Sequence, residues 1–351
     1  MRNLKNINIL LLLTSIFALP SAASAASLLE IYHQALQSDP QIHEAEARRL
    51  AALEAKPQAR GVLFPQITAG GGWDKVDSSG SSFSLGLNQT VDVTQDTDRT
   101  QFNALLTQTL FRWDQVINLK RADKVVAKAE AEREAAQQDL IIRVAQRYFN
   151  VLAAEDRLTS IHADRTAIAR QLEQAKQRFE VGLIAITDVQ ASQASYDRSV
   201  ANEIAAKREL ATSRNLLREV TGEYVTELSA PKEDFPLVLP EKSEREWVDM
   251  SLNQNLLLVA SRLDEKLARD EISFRRTGHY PTVDFYYRVD KAINDGTGTN
   301  NGADSIIDSN FDTDTVGIQF SIPIFSGGGV SSRVREAVYL HRASREQLQR
   351  V

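Results

Sequence analysis

The sequence predicts an α+β membrane protein, with long antiparallel α-helical coiled-coil hairpins plus four barrel strands per protomer. Three observations predict it. Residues 112–181 and 183–221 contain neither glycine nor proline, and their apolar residues recur at heptad spacing. Four segments alternate apolar and polar residues in strand fashion. The whole pattern then recurs further along the chain, as in a repeat architecture.

Composition narrows the function classes. The 351 residues carry a formal charge of −6, five histidines and no cysteine. Disulfide scaffolds, thiol nucleophiles and thiolate zinc sites are excluded. His33, His43, His162, His279 and His341 lie too far apart for a local metal motif. The acidic balance argues against a nucleic-acid partner. No carboxylate pair suggests general acid/base chemistry. The expectation is no enzyme, no cofactor and no metal.

Residues 1–25 read as a secretory signal peptide. Arg2 and Lys5 supply the charge, Ile7 to Leu19 the apolar stretch, and Ala23-Ser24-Ala25 the small-residue cleavage site before Ala26. No later run of about 18 apolar residues follows, so a membrane-spanning part has to be a β-barrel.

The helices come next. Leu158, Ile161, Arg165, Ile168, Leu172, Ala175 and Phe179 step by three and four, a seam with one charged member. Ile141, Ala145, Tyr148 and Leu152 extend that spacing upstream. Gly182 ends the run, and Ile186, Val189, Tyr196, Val200, Leu210 and Leu217 form a looser heptad after it. So short a connection implies an antiparallel hairpin. On these residues alone a soluble coiled coil competes with that reading.

The strands are expected at 66–74, 101–111, 282–290 and 315–324, separated by polar loops at Lys75–Thr100 and Lys291–Asp314. Val316, Ile318, Phe320, Ile322 and Ile324 take one parity; Thr315, Gly317, Gln319 and Ser321 take the other. Leu105 and Leu106 break parity in the second segment. Trp73, Trp113, Tyr280 and Phe325 suit interfacial belts, with core packing as the rival reading. Four strands cannot close a barrel, whereas three protomers of four leave no open edge in lipid.

Phe64-Pro65 matches Tyr280-Pro281, and Leu110-Phe111 matches Ile324-Phe325. The expected organisation is a first repeat at 26–222, a linker at 223–242 with Pro231, Pro236 and Pro240, and a second repeat at 243–351. A complete second repeat would end near residue 436, about 85 residues beyond Val351.

Four segments carry a family resemblance: RFEVGLIAITDVQASQASYD (178–197), LLEIYHQALQSDPQI near the start, GVLFPQI before the first strand and VGIQFSIPIFSGG across the last. They resemble the TolC family of outer-membrane efflux and secretion ducts. The resemblance implies a homotrimer with a shared twelve-stranded β-barrel in outer-membrane lipid and an α-helical tunnel in the periplasm. It implies a passive channel for efflux of drugs and small molecules and for type I secretion, joined to a periplasmic adaptor and an inner-membrane pump. Thr187 and Asp188 match the periplasmic gate at the hairpin tip, whose family partners lie at the tip of the second hairpin. Read locally, Thr187-Asp188-Val189-Gln190 is a capping box with Thr187 as N-cap. Gly327-Gly328-Gly329 lacks the lysine of a phosphate loop and suits a strand-to-helix swivel. The repeat arithmetic leads to the expectation that this length gives a leaky or misassembled duct. The alternatives are a non-functional truncated fragment of such a duct, or a periplasmic adaptor with its own helical hairpin.

Overall fold

A computed structural model describes residues 25–86, 88–231, 241–300 and 303–351. Residues 1–24 of the expected signal peptide at 1–25, and most of the expected linker, lie outside the described residues. The described chain forms two compact units. One holds the residues up to Asp39 and those from Leu140 to 231; the other holds Pro40–Asp139 and the residues from 241 to Val351.

The first unit contains α1 (Leu28–Ser38), the later part of α4 (Trp113–Glu180) and α5 (Ile186–Thr221). Ser27 and Glu30 cap α1 reciprocally, Glu30 N–H donating to Ser27 Oγ and Ser27 N–H to Glu30 Oε2. The core gathers Ile31 and Ala35 of α1, Leu140, Val144, Tyr148 and Val151 of α4, and Leu217 and Val220 of α5. The upstream seam keeps the expected Tyr148 buried, with Ala145 and Leu152 half-buried, but Ile141 is 53% exposed and Leu140, Val144 and Val151 are buried instead. A straight helix drifts against a strict heptad, so the buried stripe shifts along its length. Downstream the expected seam holds from Leu158 to Ala175, each residue buried or half-buried, and Phe179 emerges at its end. A parallel bridge joins Ala26 to Leu228, with Ala26 N–H donating to Glu227 and Ser229 N–H to Ala26. The buried Tyr148 hydroxyl lies against the carbonyls of Ala26 and Ser229.

The second unit contains α2 (Pro40–Leu53), α3 (Ala55–Gly61), the start of α4, α6 (Glu244–Gln254), α7 (Leu256–Arg276), α8 (Gly329–Arg350) and one sheet. Its strands are β1 (Gln66–Ser84), β2 (Gln89–Phe111), β3 (Thr282–Asn300) and β4 (Ala303–Ser321), antiparallel in the order β1-β2-β3-β4. The elements recur: α1 and α6 start at 28 and 244, β1 and β3 at 66 and 282, and β2 and β4, slightly closer, at 89 and 303. The caps recur too, since Ser243 and Glu246 repeat the reciprocal bonds of Ser27 and Glu30.

The two expected polar loops are corrected: most of 75–100 and 291–314 is strand. Ladder pairing runs on from Lys75↔Asp98 to Ser84↔Gln89, and from Lys291↔Asp312 to Asn300↔Ala303. Beyond the apolar band the apolar residues, such as Phe83, Ile306, Ile307 and Phe311, are sparse and keep no regular alternation, so period-two patterning vanishes while backbone pairing continues. The last strand also ends earlier than expected. It ends at Ser321, and Ile322 and Ile324 flank Pro323, which has no N–H for a ladder.

Candidate functional site

The hairpin tip is built by two opposed caps. Gly182 takes φ +78, its N–H donates to Phe179 O at 2.8 Å, and Leu183 N–H donates to Arg178 O at 2.9 Å. This is a Schellman closure, which needs a residue free to be left-handed. The return helix starts from Ala185 in an extended conformation, φ −80 and ψ 155. The Asp188 carboxylate accepts the Ala185 N–H at 3.3 Å. Thr187 is therefore not the N-cap: it lies inside the first turn, because the extended residue is two positions earlier. Thr187 and Asp188 are both exposed, beside Val181 and Leu183 at 70% and 68% exposure. The negative charge of Asp188 in the first turn suits the helix dipole.

The sheet separates its two faces by register. Ile67↔Leu106, Leu106↔Tyr287 and Tyr287↔Val316 put one residue from each strand in a row. The same face carries Trp73, Phe102, Val289 and Ile318. The opposite face carries Thr68, Thr107, Tyr286, Arg288, Thr315 and Gln319. Leu105 belongs to this polar face and Leu106 to the apolar one, which resolves the broken parity. A bulge between Thr109 and Phe111 then restores the apolar row at Phe111↔Val283. Gly317 lies under the Tyr286 ring, where an added Cβ would come within 2.7 Å of it.

A third feature was not legible beforehand. The α5 stripe facing α4 runs Ser199, Glu203, Ala206, Leu210, Ser213, Leu217 and Val220, all buried or half-buried. Its 4-3 spacing was present in the sequence, but two serines and a glutamate hid it. The Glu203 side chain is 5% exposed. Lys207 Nζ lies 2.9 Å from it, His162 Nδ1 3.2 Å and Arg165 NH1 2.8 Å. The Lys207 ammonium foremost, then His162 and Arg165, hold its carboxyl down to about 2 against the opposing effect of burial. Arg165, the one charged member of the expected seam, is thus the seam partner of Glu203. Among the described residues no group of acidic and histidine side chains is arranged to hold a metal, and no helix is long and apolar enough to cross a membrane.

One apolar and one polar sheet face, carried with long helices, suit a membrane channel, and comparison decides the family. The outer membrane efflux protein model matches residues 31–223 and 247–351. The chain belongs to the outer membrane efflux protein family. It is 33% identical over 332 residues to "Outer membrane protein TolC" of Vibrio cholerae, covering 94% of this chain and 72% of that protein. With the TolC of Escherichia coli the identity is 36% over 341 residues, covering 95% and 66%. The solved Campylobacter jejuni CmeC outer membrane channel superimposes with a TM-score of 0.68 at 14% identity, covering 92% and 67%. The fold is that of these channels, and the chain is an outer-membrane efflux channel protein.

Proposed function

We propose that three copies form an exit duct for small molecules, drugs and proteins secreted by the type I route. One observation carries this reading: a four-stranded sheet with an apolar face, a polar face and two edges, β1 and β4, that need partners. Unpaired backbone is not tolerated in lipid, and twelve strands from three copies remove both edges. The polar face then lines the lumen. The relatives include "Alkaline protease secretion protein AprF" of Pseudomonas aeruginosa and "Proteases secretion protein PrtF" of Dickeya chrysanthemi, each 26% identical. Their names supply the protein-export half of the proposal. A passive conduit needs its energy from elsewhere, so an inner-membrane pump and a periplasmic adaptor complete the machine. Thr187 and Asp188 act as gate residues at the periplasmic tip, Asp188 capping its own helix at the same time. Residues 26–222 and 243–351 are the two repeats that supply alternate walls of the tunnel.

Cysteine scanning of the cysteine-free chain tests the barrel. Cysteines at Val316, Ile318 and Phe320 are expected to resist water-soluble thiol reagents, while those at Gln319 and Ser321 react. Equal labelling of both parities would end the barrel reading. Restored drug resistance in a duct-deficient strain tests the conduit itself.

A further inference from the structure

The segment leading into α1 is tied down at the point where the chain is expected to be cut. Ala26 N–H donates to Glu227 O at 2.9 Å, and Ser229 N–H donates to Ala26 O at 3.0 Å. From α4, the buried Tyr148 sends its hydroxyl to the carbonyls of Ala26 and Ser229. Burial foremost pushes the pKa of that hydroxyl up, so it keeps the proton it donates. The remaining bond is of another kind. Ser229 Oγ donates to the carbonyl of Ala25 at 2.7 Å. Ala25 is the last residue of the expected signal peptide, so its carbonyl is the acyl half of the bond to be cleaved.

Hydrolysis there changes both partners. The C–N bond breaks, and the water oxygen joins the Ala25 carbonyl carbon as a carboxylate that leaves with residues 1–25. Both water hydrogens end on the Ala26 nitrogen, which turns from an amide into an ammonium with three N–H donors. Ser229 Oγ loses its acceptor in the same step. In a trans peptide the N–H and the C=O point to opposite sides. Glu227 O therefore lies on one side of the Ala26 nitrogen and Ser229 Oγ on the other, both carried by the segment that bridges to Ala26.

We infer that Glu227 O and Ser229 Oγ form a docking site for the α-ammonium of processed Ala26. Ser229 turns from donor to acceptor, and a neutral bond is exchanged for a charge-assisted one. The N-terminus of α1 opposes a positive charge placed before it. The Glu30 carboxylate answers that opposition: it accepts Ser27 N–H at 2.7 Å and is near enough to act on the Tyr148 hydroxyl. Ala26 and Ser229 are half-buried, so the ammonium is shielded without being stripped of water. The contact exists only in the cut chain, which makes processing and anchoring of the N-terminus one event. The inference rests on cleavage after Ala25 and is independent of how many copies assemble.

The test measures how fast the α-amine is acetylated by a water-soluble succinimidyl ester. It uses the full chain, expressed with its leader and recovered from membranes. The tryptic peptide 26–48 contains no lysine, so an amide-linked acetyl on it reports the α-amine alone. The folded chain should react about tenfold more slowly than the same chain unfolded in guanidinium, the effect of one charged hydrogen bond. Ser229→Val should remove most of that protection. A glycine inserted between Ala25 and Ala26 moves the ammonium by one residue and leaves the bridge to Leu228 in place. Its amine should react as in the unfolded chain, which decides the matter should Ser229→Val fold poorly. Equal rates in the folded and unfolded chain, or protection retained in either variant, overturn the site with the cleavage intact. An N-terminal peptide starting at a residue other than Ala26 overturns the cleavage and the site together.

Discussion

Two carboxylates withdrawn from water hold the first unit together by different means. Asp39, 1% exposed, accepts a guanidinium fork from Arg143 at 2.9 and 3.3 Å. Removing one partner of a buried pair leaves the other desolvated and uncompensated. Asp39→Ala is therefore expected to cost about 3–5 kcal/mol, read from denaturant unfolding. Glu203 is held by Lys207, Arg165 and the His162 ring, and its folded pKa of about 2 lies below the ordinary 4.5. A depressed carboxyl stabilises above its unfolded pKa and loses that contribution as pH falls toward its folded one. Thermal stability of the helical unit should drop between pH 4.5 and 2, and Glu203→Gln should flatten that drop. An unchanged acid profile in the variant would remove Glu203 from the account. Sequence showed Arg165 as an odd charge in an apolar seam but not what it answered. A glutamate on a polar-looking helix is indistinguishable from a solvated one until its neighbours are known. The gate pair was similarly half legible: Asp188 at a helix start was visible, whereas the cap went to Ala185 because backbone conformation, not side-chain type, places it.

At the scale of elements, the two long helices were legible almost to the residue, since 68 residues from Trp113 to Glu180 contain no breaker. The strands were legible only where one face is apolar. Alternation is a signal of burial rather than of pairing, so Lys75 to Ser84 and Ala303 to Asp314 carried strand geometry without strand pattern. The apolar face makes a prediction of its own. Ile318→Lys is expected to destabilise the inserted barrel by about 2–4 kcal/mol if it lies near the bilayer midplane, measured by unfolding from vesicles. Gln319→Lys, one residue on, should cost far less. Gly317→Val should displace the Tyr286 ring that covers it. Lower heat resistance of the oligomer on gels is the expected readout, and Gly317→Val with Tyr286→Ala should recover part of it.

For the whole molecule, what matters is the order of the strands along the chain against their order in the sheet. The outer pairs, β1 with β2 and β3 with β4, join neighbours in sequence. The central pair does not: Arg99 bonds Asn294 across 195 residues at 3.1 Å. Loop-closure entropy has to be met before such a contact gives anything back, whereas the Arg165–Glu203 pairing spans 38 residues. The helical hairpin and the two strand hairpins should therefore form early and the β2–β3 seam late. Pulsed amide exchange during refolding checks this: the amides of Ala104 and Val289, paired across the seam, should gain protection after those of the helices. Simultaneous protection would refute the order. Between Phe111 and Thr282 the growing chain must thus carry one finished strand hairpin with an apolar face and no mate. The interval is a kinetic hazard that ends only when the second hairpin emerges, so a slowing of translation or export within it should raise aggregation more than the same delay anywhere later.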